Sequence, residues 1–296
     1  MYHVIDLEFL GENSTIAVFV VPTSDGPVLI ESGPHLTFLH LETELLKLGY
    51  KTSDIKHVLL SHIHFDHAGA AWCFADHGAT IYVHPAGAKH LASPEKLYAS
   101  AKMIYGDEME PLWGSMNAIP ETQLYIPEHG ESIAIGDKTF TAWYTPGHAI
   151  HHIAWQLDNT LFTGDVAGVK INSGVVMPPC PPPDINIEDW QASIELMRNL
   201  TVNQLVLTHF GQIEDKEAHL AALESELLAW AAWMKPQYEA GRKSEELIPE
   251  FQAFVADRLK GHGIQEIDIP KYEKANPAFM SVAGLLRYWH KKLQTK

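Results

Sequence analysis

The chain has 296 residues, 46% of them hydrophobic and 20% charged, with a formal net charge of -16 at pH 7. That composition excludes a disordered chain, and the acidity argues against nucleic acid, which is normally held by a basic footprint. The charge is uneven: residues 236–296 carry 10 Lys+Arg against 8 Asp+Glu, so the tail is slightly basic and the rest strongly acidic.

The predicted elements begin with two strands, 14–21 ("STIAVFVV") and 27–33 ("PVLIESG"). A helix is expected over 36–48, where six leucines form a broad apolar face. "HVLLSH" (57–62) is a short apolar run of the buried-strand kind. A helix over 67–78 should end at Gly78, and "TIYVH" (80–84) reads as the next strand. Residues 85–120 mix helix with turns and are rich in Met and aromatics. Short strands dominate 122–165, and a Gly- and Pro-rich loop fills 166–183. A helix at 186–200, a strand at 204–211 and a long amphipathic helix at 214–234 follow. The tail reads as further helices with breaks at Pro249, Gly261, Gly263 and Pro270. Alternating strands and helices indicate a layered α/β fold.

Two cysteines form no disulfide framework, and Cys73, in "GAAWCFA", reads as a buried thiol. The first twenty residues lack a basic segment followed by a long apolar one, and no run of about 18 apolar residues occurs. The expectation is a cytoplasmic protein with no membrane partner.

Residues 61–67 read "SHIHFDH". His62 and His64 are two apart, so on an extended strand end both rings point to one face. Asp66 and His67 fall in the turn that follows. Two imidazoles can hold one divalent ion, while a carboxylate and an imidazole begin a second site. Three more metal-competent residues stand where apolar strands end: His148 in "YTPGHAIHH", Asp165 in "LFTGDVAG" and His209 in "LVLTHFG". Strand ends emerging into loops are where α/β folds build sites.

With this order of residues, the chain resembles the metallo-β-lactamase-fold superfamily from about residue 4 to residue 230. Within it, "TPGHAIHH", "FTGDVAG" and "PPPD…LTHFG" resemble the dinuclear hydrolase branch that includes glyoxalase II. The resemblance implies an αβ/βα sandwich of two mixed sheets flanked by helices. It divides the chain into a hydrolase domain, 1–235, with an insertion near the site at about 85–120, and a C-terminal helical extension, 236–296, expected to pack on it and to support a homodimer. It implies that His62, His64 and His148 bind one metal ion, that Asp66, His67 and His209 bind another, and that Asp165 bridges them. Zn is the first expectation, with Fe or Mn also suited to such ligands. Two ions roughly 3.5–4 Å apart would share a hydroxide that attacks the substrate, and Asp66 would also orient it.

His152 and Glu31 are expected behind the ligands, Glu31 standing where relatives usually have Asp. His151 replaces a common Gly and either faces the site or is structural. Other histidines, such as His3, His40 and His219, are expected on the surface. Tyr105, Trp113 and Met177, from two apolar segments (94–120 and 168–183), together with His151, are the candidate pocket for a small, partly apolar substrate. The expected reaction is hydrolysis of an ester, thioester or lactone. Alternatives are a lactonase or phosphodiesterase of the same fold, a mononuclear-iron persulfide dioxygenase, or a metal-binding module without catalysis. Gly168 stands where acyl-homoserine lactonases place a Tyr, and His64 stands where the diiron flavoproteins of the fold have Glu.

Overall fold

The computed structural model describes residues 1–171 and 174–294; positions 172 and 173 of the predicted 166–183 loop lie outside them. Two six-stranded sheets are present among the described residues. The first has the order β1 (His3–Asp6), β2 (Ala17–Thr23), β3 (Gly26–Ile30), β4 (His57–Leu59), β5 (Thr80–Tyr82), β6 (Leu124–Tyr125). Its first three strands pair antiparallel and its last three join in parallel. The second sheet runs β12 (Gly211–Ile213), β11 (Gln204–Leu207), β10 (Thr160–Phe162), β9 (Ile153–Leu157), β8 (Lys138–Tyr144), β7 (Glu131–Ile135), with β10 and β11 parallel and the other neighbours antiparallel. Both sheets are therefore mixed, as the resemblance implied.

Side-chain alternation explains the layers. Ala17, Phe19 and Val21 point toward the second sheet and share a core with Phe140, Ile153, Trp155, Phe162 and Val206. Val18 and Val20 point the other way, into a core with Leu41, Leu45 and Phe74 of the helices covering that face. A strand buried on both faces needs no polar alternation, so "AVFVV" is continuously apolar. The first covering layer contains α1 (Phe38–Lys47), α2 (Phe65–Ala68), α3 (Ala71–Ala75) and the segment α4 (Pro85–Ala92), α5 (Glu95–Tyr105) and α6 (Met109–Trp113). The second contains α7 (Ile187–Asn199), α8 (Lys216–Glu239), α9 (Ser244–Gly261), α10 (Ile269–Ala275) and α11 (Ala278–Gln294). Residues of α7, α8, α9 and α11 share one apolar core with Val166, Val176 and Met177.

Several elements differ from expectation. The helix predicted over 67–78 is broken after Ala68. The His67 carbonyl, which would accept from residue 71 in a continuous helix, accepts from Ser32 N–H at 2.8 Å and from Ser32 Oγ at 2.8 Å. Ala70 N–H likewise turns to Gly33 O at 2.9 Å. Pro249 does not break α9, nor does Pro236 end α8. Both prolines are exposed, so water can satisfy the carbonyl each leaves unpaired, while their helices are anchored by buried Leu247, Phe251 and Met234. α8 thus runs through the boundary expected at 235.

Candidate metal centre

Each candidate ligand sits where a β-strand hands over to a loop. His62 and His64 follow β4, and His64 keeps extended backbone (φ -64°, ψ 155°) before α2 carries Asp66 and His67. His148 lies between β8 and β9, Asp165 follows β10, and His209 follows β11. Gly164 precedes Asp165 with φ +49°; a Cβ there would lie 2.5 Å from Ser61 Oγ and 2.7 Å from His152 Nε2. Only a glycine lets Asp165 approach the end of the first sheet this closely.

The seven residues converge. His62 Nε2 and His64 Nδ1 are 2.8 Å apart, and His148 Nε2 is 3.1 Å from the same His64 atom. Around the second group, His67 Nε2 and His209 Nε2 lie 3.5 and 3.4 Å from Asp66 Oδ2. Asp165 reaches both groups: Oδ1 is 3.2 Å from His67 Nε2 and 3.3 Å from His209 Nε2, and Oδ2 is 3.4 Å from His148 Nε2. Ligand-capable atoms lie within 4.8 Å of one another in each of three sets: His62, His64 and His148; His62, His67 and Asp165; Asp66, His67 and His209.

The donor set fits metal ions. His67 Nε2 and Asp165 Oδ1 are buried, face each other at 3.2 Å and form no hydrogen bond. Such a facing pair calls for a shared cation, a metal ion or, in its absence, a proton. Outer contacts prepare the rings. His148 Nδ1 donates to Pro179 O at 2.9 Å and His209 Nδ1 to Thr15 O at 2.6 Å. With Nδ1 engaged by a carbonyl, Nε2 is the nitrogen turned toward the centre in both rings. His67 Nδ1 lies 3.0 Å from Glu31 Oε1, and Ser61 Oγ lies 2.9 Å from His62 Nδ1.

Glu31 is buried, not a surface residue. It also accepts from Ser61 N–H and Thr208 Oγ, and it holds left-handed backbone (φ +66°), a strained conformation for glutamate. His152 is fully buried; its Nε2 accepts from Asp165 N–H at 3.2 Å, so Nδ1 carries the proton toward Thr145 Oγ at 2.8 Å.

The two groups differ electrically. Burial, reinforced by neighbouring imidazoles, depresses the pKa of His62 and brings that of His64 down to about 3; burial also lowers His148. At His67 and His209 burial opposes protonation, but the carboxylates outweigh it. Asp66, Asp165 and Glu31 hold His67 well above its ordinary range, and Asp165 and Asp66 raise His209 to about 10. Burial opposes charge on Asp66 and Asp165 too, and the facing His67 and His209 hold both far down.

The pocket candidates separate. His151 is buried, stacked 6.1 Å from His62 and edge-on 5.6 Å from His64, with Nδ1 lacking a hydrogen-bond partner. Tyr105 packs 5.5 Å from Trp113; burial and then the Asp66 charge raise its phenol pKa. Trp113 stacks on Phe9 at 5.3 Å and meets Phe65 at 6.4 Å. Met177 instead belongs to the core under α7 and α8, where it is 1% exposed. His219, expected on the surface, is buried and donates from Nε2 to Ala167 O at 2.8 Å.

Sequence reasoning missed Ser61, Thr208 and Thr145, which touch the ligands or their supports. Their signal was small: Ser61 and Thr208 each directly precede a candidate ligand. It also missed Phe9 and Phe65 beside Trp113, and Phe279 of α11, whose ring lies 6.0 Å from Tyr105.

Among known proteins, the chain is 30% identical over 177 residues to the metallo-beta-lactamase fold-containing protein ST1585 of Sulfurisphaera tokodaii, covering 58% of this chain and 67% of that one. It is 21% identical over 233 residues to the N-acyl homoserine lactonase of Bacillus cereus, covering 69% and 84%. The structure of the metallo-beta-lactamase family protein TTHA1429 from Thermus thermophilus superposes with a TM-score of 0.64 at 20% identity, over 94% of this chain and 89% of that one, which shows a shared fold. Residues 10–209 match the model of the metallo-beta-lactamase superfamily, and to that superfamily the chain belongs.

Proposed function

We propose that this protein is a dinuclear metal-dependent hydrolase that cleaves an ester, thioester or lactone of a small, partly apolar substrate. The observation that carries this reading is Asp165, whose two oxygens face two separate groups of ligand atoms. When bound, two divalent ions, Zn first, would supply an activated water and polarise the scissile carbonyl. The chain's own residues do the rest. His62, His64 and His148 would hold one ion and Asp66, His67 and His209 the other, with Asp165 reaching both groups. Glu31, Pro179 O and Thr15 O orient the rings. Asp66, 20% exposed at its side chain, is placed to orient the attacking water. Tyr105 and Trp113, half-buried over the core residues Phe9 and Phe65, would give an aromatic wall that favours an apolar acyl portion. The motif's likeness to the glyoxalase II branch supports the thioester as one candidate.

A lactone is one candidate within this class. The Tyr that lactonases place after the bridging Asp is Gly168 here, while Tyr105 of α5 packs on Trp113 and feels the charge of Asp66. The similarity to the Bacillus cereus lactonase supports this candidate. The test is a panel of p-nitrophenyl esters, S-lactoylglutathione, lactones and bis-p-nitrophenyl phosphate on metal-defined enzyme, with and without chelator. Chelator-sensitive turnover of a carboxylic ester, thioester or lactone is expected. Turnover of the phosphodiester alone, or of nothing on the panel, would overturn the proposal.

A further inference from the structure

Residues 178–183 read Pro-Pro-Cys-Pro-Pro-Pro. Proline has no backbone N–H, so this stretch owns a single main-chain donor, that of Cys180, and cannot fix itself by turns or ladders. One of its carbonyls, that of Pro179, accepts from the Nδ1 of His148 at 2.9 Å. The stretch is held from outside by α11 and the residues just before it. Cys180 N–H donates to Ser281 Oγ at 3.3 Å, and Asn276 Nδ2 donates to Pro178 O at 3.1 Å. Ser281 Oγ donates in turn to Asn276 Oδ1 at 3.2 Å. At the closest approach, a Cβ on Gly284 would lie 2.0 Å from Cys180 O. Arg287 and Lys291 both donate to Pro183 O, at 3.1 and 2.9 Å. Asn276 and Ser281 are buried, so these are interior contacts that water does not replace.

We infer that the C-terminal helix is a positioning element of the metal centre: Ser281, Asn276 and Gly284 set the place of the Pro179 carbonyl, which fixes the ring and tautomer of His148. The inference rests on the reading of His148 as a ligand, and it makes the tail part of the site machinery. Two consequences follow. Disturbing α11 acts on the group of His62, His64 and His148. The group of Asp66, His67 and His209 should respond less, because the outer partners of its rings, Glu31 and Thr15 O, come from the first sheet and its edge and not from α11.

The test uses the full-length protein carrying Ser281→Ala, Asn276→Ala or Gly284→Ala, with Ser281→Thr as the conservative control. Stepwise Zn2+ affinities are measured by competition with a chromophoric chelator. The His148 Nδ1–H proton resonance is followed in metal-free protein. Loss of a partner behind a metal-binding histidine weakens affinity by about 10–100-fold; through one intervening carbonyl, about threefold to tenfold is expected here. That loss should fall on one Zn2+ step only, accompany a shifted or broadened His148 signal, and be largely restored in Ser281→Thr. Unchanged affinities and an unchanged resonance in folded variants would overturn the inference. So would an equal loss at both steps that tracks the loss of thermal stability, which is the mark of a merely structural tail. If an alanine variant at Ser281 or Gly284 fails to fold, Asn276→Ala decides the matter by the same readouts, and Ser281→Cys, which keeps the size but is a weaker hydrogen-bonding group, replaces any variant that does not fold. Failure of wild-type protein to bind a second Zn2+ would count against the dinuclear proposal and leave this one standing.

Discussion

His62, His64 and His148 meet as three imidazoles whose pKa values burial and mutual repulsion push down, whereas His67 and His209 meet two carboxylates that hold them protonated. One group is an uncharged nest ready for a cation at neutral pH. The other is already occupied, in the metal-free protein, by protons standing where a metal would stand. The two groups share Asp165 and lie side by side, so the difference comes from placing Asp66 and Glu31 on one side only. Neighbouring sites in one cluster can therefore differ in pH response without differing in depth.

Removing the shared residue is the sharpest way to break the comparison. Asp165→Ala should abolish binding of the second ion and lower turnover by roughly a thousandfold or more, the several kcal/mol that metal-assisted polarisation supplies. Metal analysis and kcat on a chelator-sensitive substrate check both. Retention of two ions with near-normal turnover would show that Asp165 is not the bridge.

Proton bookkeeping tests the electrical difference directly. At pH 7 a metal entering the second group must displace protons from His67 and His209, whose folded pKa values are raised. It should release about two protons, so affinity there rises by roughly a hundredfold per pH unit until the pH nears the folded pKa of about 10 at His209. The first group, with His64 near 3, should release about none and vary little from pH 5 upward. The sign for stability is opposite in the two groups when metal is absent. The raised pKa values of His67 and His209 contribute stability that is present below the ordinary histidine value and lost as pH rises toward about 10. The depressed values in the first group contribute instability that appears as pH falls below that ordinary value. Calorimetric titration in buffers of differing ionisation enthalpy measures the protons released; equal release at both steps would remove the distinction.

Glu31 sharpens the comparison, since it touches His67 of the second group while its other oxygen holds Ser61 N–H beside His62. Glu31→Gln keeps the size and removes the charge. Affinity at the second group should fall about 10–100-fold, with a smaller change at the first. A variant with both affinities within twofold of wild type would reduce Glu31 to a packing residue.

How much of this was legible in the sequence follows from what sort of atom does the work. The seven candidate ligands were legible because most stand where an apolar strand gives way to a loop and their order resembles a known family's, and the sheets were legible from runs such as "AVFVV". The break after Ala68 was not, because it depends on Ser32 and Gly33 taking backbone partners from another element. Pro179 and Thr15 escaped because their carbonyls act, and a main-chain oxygen leaves no mark in residue identity. His219 was misplaced for a related reason: its partner is the carbonyl of Ala167, 52 residues away.

The smallest effect concerns the approach to the second group. Trp113 stacks on Phe9, meets Phe65 next to Asp66 and packs on Tyr105, and in the proposed reading its indole helps shape an aromatic wall on that side. Met177, the other apolar residue that sequence suggested for a pocket, lies in the core beneath α7 and α8. The two substitutions should therefore part company. Met177→Ala should lower stability by about 2–5 kcal/mol, the usual cost of emptying a core site, and leave relative kcat/KM among acyl chain lengths unchanged. Trp113→Ala should keep both metal ions and change that chain-length profile by about 10-fold, the low end of what one methylene's fit in an apolar pocket is worth. The profile is measured on p-nitrophenyl esters of increasing length, with metal content determined on the same samples. A wild-type profile in Trp113→Ala would place the acyl group elsewhere, and the edge left by His151 beside His62 and His64 would then be the surface to examine, moving the substrate's approach from the protonated group to the neutral one.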